Sequence, residues 1–475
     1  MLFNSIEFLA FLPIVFILYW FAFGKNLRLQ NLFVVVASYF FYGWWDWRFL
    51  ILIAFTSFCS WGSGILIRDN VGEKKRNAKL FLVLNITLNL LILGIFKYYD
   101  YFVSSFAELF GLEYDQLLLK IILPVGISFY TFQALSYSID VYRAKIEPTK
   151  DIIAFFAYVS FFPQLVAGPI ERATNLLPQF QKPRQFDYEN AVDGVRQMLW
   201  GFFKKIVVAD NCAIYVDEIF GSYGTQSGST LLLAAILFSI QIYGDFSGYS
   251  DIAIGCARLF GIQLMQNFRM PYFSRDIAEF WRRWHISLTT WFRDYIYIPL
   301  GGSRCSKAKI IRNTFIIYLI SGFWHGANWT FIAWGGYNAL LFFPLIITGK
   351  HRKYTNNVAE GRLLPSFKEL FQMVGTFLLA VFGWIVFRAE GISQAWDYIL
   401  HIFTKSLISI PHLPGKTLAF AAILFIVEWI QREKRHGLEF RKIQSHWIKY
   451  SCYVAILVLI FFFGAFNDTF IYFQF

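Results

Sequence analysis

Long apolar runs recur from one end of the chain to the other, and they predict helices that cross a membrane. A bilayer core about 30 Å thick is crossed by roughly 20 apolar residues in a helix. The clearest cores of such runs are residues 6–23, 80–96, 231–242, 377–387 and 453–463. The first run lacks a preceding basic residue and a following small-residue cleavage site, so it is interpreted as a retained span. The pattern predicts an all-α polytopic membrane protein.

Between residues 124 and 337 the apolar runs are interrupted by proline, glycine and polar side chains, most clearly at 123–130 and 162–169. Broken backbone at membrane depth survives only where it is buried in protein or lines a wet cavity. The middle of the chain is therefore predicted to contain a cavity with re-entrant segments. Two stretches that mix charged and apolar residues, 188–208 and 274–297, are predicted to be amphipathic helices at the cytoplasmic interface.

Composition supports the membrane prediction and excludes a large soluble protein. Of 475 residues, 57% are hydrophobic and 16% are charged, against about 25% charged in a typical soluble domain. The five cysteines are scattered, without a CxxC pair, so neither a disulfide framework nor a zinc site is predicted.

The net charge of +12 predicts orientation rather than nucleic-acid binding. Lys and Arg gather in short segments between spans, at 68–79, 304–312, 350–368 and 432–449, whereas the opposite loop 99–115 is acidic. Basic loops face the cytoplasm and are attracted to anionic lipid. We therefore expect a multi-pass protein of the inner (plasma) membrane with both termini extracytoplasmic, and no nucleic-acid partner.

His325 is the histidine with the strongest functional context. It lies in a polar break, 321–329, between the apolar runs 314–320 and 331–343, which predicts a hairpin with His325 in its turn. An ionisable group inside a membrane is a functional hypothesis by default, and burial favours the neutral imidazole that a general base requires. A histidine satisfied by a helix carbonyl is the alternative. Five other histidines are expected to be solvated loop residues: His351, His401, His412, His436 and His446.

A second candidate, His285, follows an arginine pair. On a continuous helix His285 would share a face with Trp281 and Leu288, while Arg282 and Arg283 would point elsewhere. The arginines either face solvent and lipid headgroups or bind the phosphates of a nucleotide-bearing donor. Glu279 and Arg283 form an i,i+4 pair that would stabilise the helix.

Residues 241–251, at the end of an apolar run, predict a polar pocket. Asp245 or Asp251 is expected either to orient a histidine or to pair with Arg282 or Arg283. The chain has no GxSxG, HExxH or Walker motif. The absence of a nucleophile motif favours chemistry with a histidine base over a covalent enzyme intermediate on this chain.

Five strings in the same order, 124–132, 162–170, 245–251, 281–293 and 322–329, closely resemble those of the bacterial membrane-bound O-acyltransferases (MBOAT). The similarity is greatest to the alginate O-acetyltransferase branch, which includes peptidoglycan O-acetylation proteins. The D-alanine exporter of teichoic acid modification is a nearer cousin than the eukaryotic lipid enzymes. The resemblance is densest from about 123 to 340, and we predict a single membrane domain over 1–475.

The resemblance implies a bundle of about 11 transmembrane helices, with re-entrant and interfacial helices around a central cavity. It implies a cytoplasmic acyl-CoA donor, taken as acetyl-CoA, with no permanently bound cofactor. His325 corresponds to the family histidine at the narrowest point of the cavity and His285 to the second one. An extracytoplasmic polysaccharide is the implied acceptor, reached directly or through a partner with an SGNH-hydrolase-like fold.

These expectations combine into one mechanism. His325 is the predicted base and His285 the residue that positions the donor or polarises its carbonyl. Donor-binding roles are predicted for Arg282, Arg283 and Asp245, and Asn328 is the predicted oxyanion donor. The rival functions are a transporter or flippase for an activated sugar or acyl carrier, D-alanyl transfer to a cell-wall polymer, and a scaffold that only docks a partner.

Overall fold

A computed structural model describes residues 1–70, 75–166, 168–404, 407–440, 445–465 and 470–471. Parts of the basic segments 68–79 and 432–449, and Ala167 within one family-like string, lie outside the described residues. Within the described ranges the chain folds into helices and contains no β-strand, as predicted.

Within these described ranges, twenty α-helices follow one another. They are α1 (Ile6–Ile17), α2 (Leu27–Gly43), α3 (Arg48–Asn70), α4 (Lys75–Leu93), α5 (Tyr99–Phe110), α6 (Ile127–Tyr142), α7 (Ile152–Ser160), α8 (Phe162–Leu165), α9 (Ala173–Phe180), α10 (Tyr188–Phe202), α11 (Asp210–Gly221), α12 (Gly228–Leu259), α13 (Ile277–Arg283), α14 (Ile286–Phe292), α15 (Lys307–His325), α16 (Trp329–Ile347), α17 (Phe367–Arg388), α18 (Ile392–Thr404), α19 (Gly415–Ile430) and α20 (His446–Phe463). Short π-helical turns extend several of them: Leu18–Ala22, Gly94–Tyr98, Phe203–Ala209 and Arg293–Tyr297.

Six of the described helical stretches are long and apolar enough to cross a membrane, judged by length and composition. They are Arg48–Asn70, Lys75–Phe110, Gly228–Leu259, Trp329–Ile347, Phe367–Arg388 and His446–Phe463. Four of the five predicted apolar cores lie inside these stretches, and the first core forms a shorter apolar helix, Ile6–Ala22. The polytopic prediction is confirmed, and the total of about 11 crossings stays a prediction.

The chain forms two compact units. The first comprises residues 1–195 and 253–265, and the second comprises 196–252 and 266–475. In the first unit, buried amide and hydroxyl groups join three helices, since Ser60 of α3 donates to Asn85 of α4 at 3.3 Å and Asn85 donates to Ser138 of α6 at 2.8 Å. Such interhelical hydrogen bonds hold apolar helices together where the hydrophobic effect cannot. The prediction of a single domain stays a prediction.

In the second unit, α15 and α16 pack closely as a hairpin because two glycines meet the opposite backbone. A Cβ atom at Gly322 would overlap the carbonyl oxygen of Phe331, and one at Gly335 would overlap that of Tyr318. Small residues allow this approach between membrane helices. The close hairpin holds the residues at its turn in a defined position.

Both stretches predicted to be interfacial are helical, but they differ from expectation in two respects, and their position at the cytoplasmic interface stays a prediction. Residues 188–208 form α10 and a π-helical turn, but the side chains of Lys204 and Lys205 are only 3% and 1% exposed rather than solvated. Residues 274–297 form two short helices instead of one, and their aromatic side chains are buried. The polar segment 241–251 also differs from expectation, because it lies within the continuous helix α12 and not at the end of a span.

Candidate functional site

A cavity of about 540 Å³ lies in the second unit, bounded by α13, α14, α15 and α16. Its arginine and histidine lining residues are Arg282, His285, Arg293, His325, His351 and Arg352. Both histidines singled out from the sequence therefore face one space.

One face of α15 forms a continuous wall of this cavity. Its lining residues are Ile310, Thr314, Ile317, Tyr318, Ser321 and His325, which recur about once in each helical turn. This spacing places all six on one side of a helix. From residue 310 to residue 325 the wall extends roughly 22 Å at 1.5 Å per residue, which is long enough to accommodate an extended ligand.

His325 is the last residue of α15 and is 6% exposed, as the predicted hairpin turn requires. Three aromatic rings surround its imidazole. The ring centroids of Trp324, Trp334 and Phe387 lie 4.9, 5.2 and 5.3 Å from that of His325. The cavity reaches this imidazole, whereas none of the three rings lines the cavity.

His285 lies at a sharp break in the chain and not on a helix face, so the predicted placement is wrong. It separates α13 from α14 with a left-handed backbone (φ 43°), a conformation that costs a non-glycine residue of the order of 1–3 kcal/mol. Asn267 stabilises the break: its carbonyl accepts from the Ile286 amide at 2.9 Å, and its side-chain oxygen accepts from the Ser287 hydroxyl at 2.9 Å. Strain of this kind is maintained where the surroundings over-determine it, which often marks a functional position.

The surroundings of His285 are apolar. His285 is 1% exposed, and its ring packs edge-on against that of Phe246 with centroids 4.7 Å apart. Burial lowers the pKa of His285 to about 3. The imidazole is therefore neutral at physiological pH and is suited to donating or accepting one hydrogen bond rather than to carrying charge.

Exposed arginines line the opposite end of the cavity from His325. Arg352 donates to the hydroxyl of Ser303 at 3.1 Å, and Ser303 is four residues before the start of α15. Arg282 donates to the carbonyl oxygens of His351 and Tyr354, at 2.9 and 2.6 Å. These contacts bring the loop after α16 to the N-terminal end of α15, so the cavity has a basic end and an aromatic end.

Arg282 and Arg283, which the sequence could not distinguish, have different surroundings. Only Arg282 lines the cavity. Arg283 contacts Glu279 at 2.9 Å, and Glu279 also pairs with Arg275 at 3.0 Å. The predicted i,i+4 pair is confirmed, and it belongs to a buried arginine–glutamate–arginine cluster that stabilises the fold at α13.

Neither Asp245 nor Asp251 pairs with Arg282 or Arg283, contrary to one of the expectations. Asp245 contacts the ammonium of Lys205 at 2.9 Å and accepts from the amide of Ile471 at 2.7 Å. Asp251 contacts Lys204 at 2.6 Å. Burying charge is costly unless it is paired, so this lysine–aspartate network explains how α12 and the turn after α10 pack. None of its members lines the cavity described above.

Both the oxygen and the nitrogen of the Asn328 side-chain amide form hydrogen bonds with the backbone. Its oxygen accepts from the Thr330 amide at 3.0 Å as the N-cap of α16, and its nitrogen donates to the carbonyl of Glu390 at 2.9 Å. An N-cap of this type stabilises a helix by about 1 kcal/mol. The role predicted for Asn328 at an oxyanion stays a prediction, and the residue does not line the cavity.

Sequence reasoning missed several lining residues and misplaced others. Arg293 and Arg352 were assigned no role, and His351, taken for a solvated loop residue, is half-buried and lines the cavity. His436 is 2% exposed, so its prediction as a solvated residue is wrong.

Comparison with known proteins identifies the family. The model of the membrane-bound O-acyltransferase family, MBOAT, matches residues 143–383. The chain belongs to this family. It is a multi-pass membrane O-acyltransferase, and the matched range contains the whole cavity lining.

Relatives resemble the chain over most of its length. A probable alginate O-acetylase of Pseudomonas aeruginosa is 41% identical over 400 residues, which are 83% of this chain and 74% of the relative. The peptidoglycan O-acetyltransferase of Helicobacter pylori is 31% identical over 100% of this chain and 98% of its own. The teichoic acid D-alanyltransferase of Bacillus subtilis is 27% identical over 56% of this chain and 69% of its own.

Proposed function

We propose that this O-acyltransferase moves an acetyl group from acetyl-CoA to a hydroxyl of an extracytoplasmic polysaccharide. The observation that carries the proposal is the polarity of the cavity, which has exposed arginines at one end and His325 among aromatic rings at the other. Relatives named for O-acetylation of alginate and of peptidoglycan support acetyl as the group and a sugar polymer as the acceptor.

The donor would lie along α15. Its phosphates would bind Arg282, Arg293 and Arg352, because guanidinium groups match phosphate oxygens in shape and charge. The pantetheine arm would follow the face from Ile310 to Ser321. Its thioester carbonyl would then lie beside the imidazole at the end of that face.

His325 would act as the general base. In this step the imidazole takes the proton of the acceptor hydroxyl as its oxygen attacks the thioester carbonyl. The new C–O bond forms, the C–S bond breaks, and the same imidazolium returns its proton to the departing CoA thiolate. A positioned base of this kind typically contributes about 10²–10⁴ in rate.

His285 would orient the donor rather than exchange its proton. A neutral imidazole whose pKa is about 3 has little capacity as a base, yet it can donate one hydrogen bond to a carbonyl oxygen. Its fixed backbone at the α13–α14 break would hold that donor in place.

Orientation follows from the distribution of positive charge. The segment before α15 and the segment between α16 and α17 are both basic, so we assign them to the cytoplasm of an inner-membrane protein with extracytoplasmic termini. The basic end of the cavity then faces cytoplasmic acetyl-CoA, and His325 lies toward the outside. The acceptor hydroxyl belongs either to the polysaccharide itself or to the serine of an SGNH-hydrolase-like partner that relays the group.

The decisive experiment uses purified protein in nanodiscs with radiolabelled acetyl-CoA, with and without a candidate extracytoplasmic partner. We expect turnover in the wild type and a loss of at least a hundredfold in His325→Ala, while His325→Ala keeps its thermal midpoint and its donor binding. A folded His325→Ala protein with full transfer would refute the base assignment. Net movement of substrate without any acyl product would instead favour the transporter alternative.

A further inference from the structure

The rings of Trp324, Trp334 and Phe387 pack around His325 and do not line the cavity; together we call them the aromatic wall. Each ring centroid lies within 5.3 Å of the imidazole centroid. The rings of Trp334 and Phe387 meet His325 nearly at right angles, at 88° and 80°. The imidazole is thus held between the cavity on one side and the wall on the other.

Other aromatic side chains fill the space behind the aromatic wall. Phe331 packs on Phe387 at 4.9 Å, and Trp384 packs on both Trp334 and Phe387 at 5.8 and 5.5 Å. Phe387 is 1% exposed and Trp334 2% exposed. No member of the aromatic wall lines the cavity, which reaches His325 and goes no further.

This arrangement limits the length of the acyl group that the donor thioester can carry. A donor lying along α15 brings its sulfur to the imidazole from the cavity side, so the acyl chain projects past the imidazole toward the aromatic wall. Forcing extra methylenes into a well-packed space typically costs 1–3 kcal/mol. Such a cost in the transition state lowers the rate for each group that is too long.

We propose that the aromatic wall restricts the acyl group to about two carbons and that Phe387 is its length-determining residue. The inference rests on the proposed function and adds a specificity determinant to it. We assign this role to Phe387 because it lies in the last turn of α17, whereas the other two rings of the aromatic wall belong to the α15–α16 hairpin. Removing its ring opens room beside the imidazole and substitutes no residue of that hairpin.

The test compares acetyl-, propionyl-, butyryl- and hexanoyl-CoA as donors for the nanodisc-bound enzyme. For the wild type we expect kcat/KM to fall by about 10–200-fold for an added methylene group that does not fit. Phe387→Ala should reduce the preference for acetyl over butyryl at least tenfold, through faster butyryl transfer. Phe387→Leu, which disturbs packing less, should shift the preference toward propionyl.

Phe382→Ala is the matched control, since Phe382 lies on the same helix and stacks on Phe403 away from the imidazole. Its donor preference should equal that of the wild type. A Phe387→Ala or Phe387→Leu enzyme that transfers acetyl and gains no transfer of longer groups would overturn the inference. A wild type that transfers hexanoyl as fast as acetyl would overturn it too, while acyl transfer itself stands. No transfer from any donor by folded wild type would refute the proposed function, and the inference with it.

Discussion

Loss of charge at the neighbouring residues Arg282 and Arg283 should affect two different properties, donor binding and stability. Arg282 lines the cavity and is exposed, whereas Arg283 is directed at the buried carboxylate of Glu279. We therefore expect Arg282→Gln to weaken donor binding and Arg283→Gln to destabilise the fold. The two substitutions are adjacent and chemically identical, so each is the control for the other.

The magnitudes follow from the surroundings of each guanidinium. A hydrogen bond to a charged group contributes about 1.5–3 kcal/mol, and the solvent exposure of Arg282 favours the lower value. Loss of that contact would raise the KM for the donor about tenfold. Breaking a buried ion pair costs about 3–5 kcal/mol when the remaining charge is orphaned. Glu279 keeps Arg275, with contacts of 3.0 Å to both of its oxygens, so about 2 kcal/mol is expected for Arg283→Gln.

Two measurements separate the effects. Initial rates over a range of acetyl-CoA concentrations, at low and high salt, should show a KM raised about tenfold and a weaker salt dependence in Arg282→Gln. A comparison with dephospho-CoA derivatives reports whether the lost contact is to the 3′-phosphate. Thermal melting in the same nanodiscs should show a midpoint lowered by about 2–4 °C in Arg283→Gln.

The reasoning would be refuted by a reversed result. If Arg283→Gln raised KM with an unchanged midpoint while Arg282→Gln bound donor normally, the basic end of the cavity would not be the phosphate site. Equal loss of stability in both variants would mean that the bonds from Arg282 to the loop after α16 are its main contribution.

Three further outcomes are expected. The pKa of His285 is about 3 in the folded protein, so below about pH 6.5 the imidazole is protonated in the unfolded chain but not in the folded one, and stability falls as the pH drops. Between pH 6.5 and 4.5 the thermal midpoint of His285→Gln should therefore fall less than that of the wild type. Asp245→Asn, which weakens the pairing of Lys205, should lower the midpoint without changing the donor KM. Gly335→Ala should lower both midpoint and activity, because its Cβ would overlap the α15 backbone, whereas Gly336→Ala should leave both unchanged or slightly raise the midpoint.

The parts of the site that could be predicted from sequence are those determined by local pattern. His325 was identified because a polar string interrupts two apolar runs, and the structure places it at the end of α15 as that pattern requires. The helical spacing that carries Ile310 and Ser321 to the same wall is likewise local. These features depend on helix geometry and on the cost of polar groups in a membrane.

Tertiary contacts determined the rest. Residues 281–293 have the composition of one helix, yet the chain breaks at His285 because Asn267, eighteen residues earlier, satisfies the amide and hydroxyl groups of the turn. Lys204 and Lys205 lie in a stretch predicted to be interfacial, but Asp251 and Asp245, which come 47 and 40 residues later, pair with them in the interior. Neither partner can be recognised from spacing along the chain.

The change in polarity along the cavity links the proposed steps of the reaction. Exposed arginines at one end suit a highly charged donor that arrives from water. At the other end, the aromatic wall keeps His325 6% exposed, so a thioester there would meet few water molecules. Exclusion of water from a reactive ester favours transfer over hydrolysis and strengthens the interactions that stabilise developing charge. An acyltransferase that gives its acetyl group to a hydroxyl outside the membrane needs both properties, and α15 joins them through one helix face.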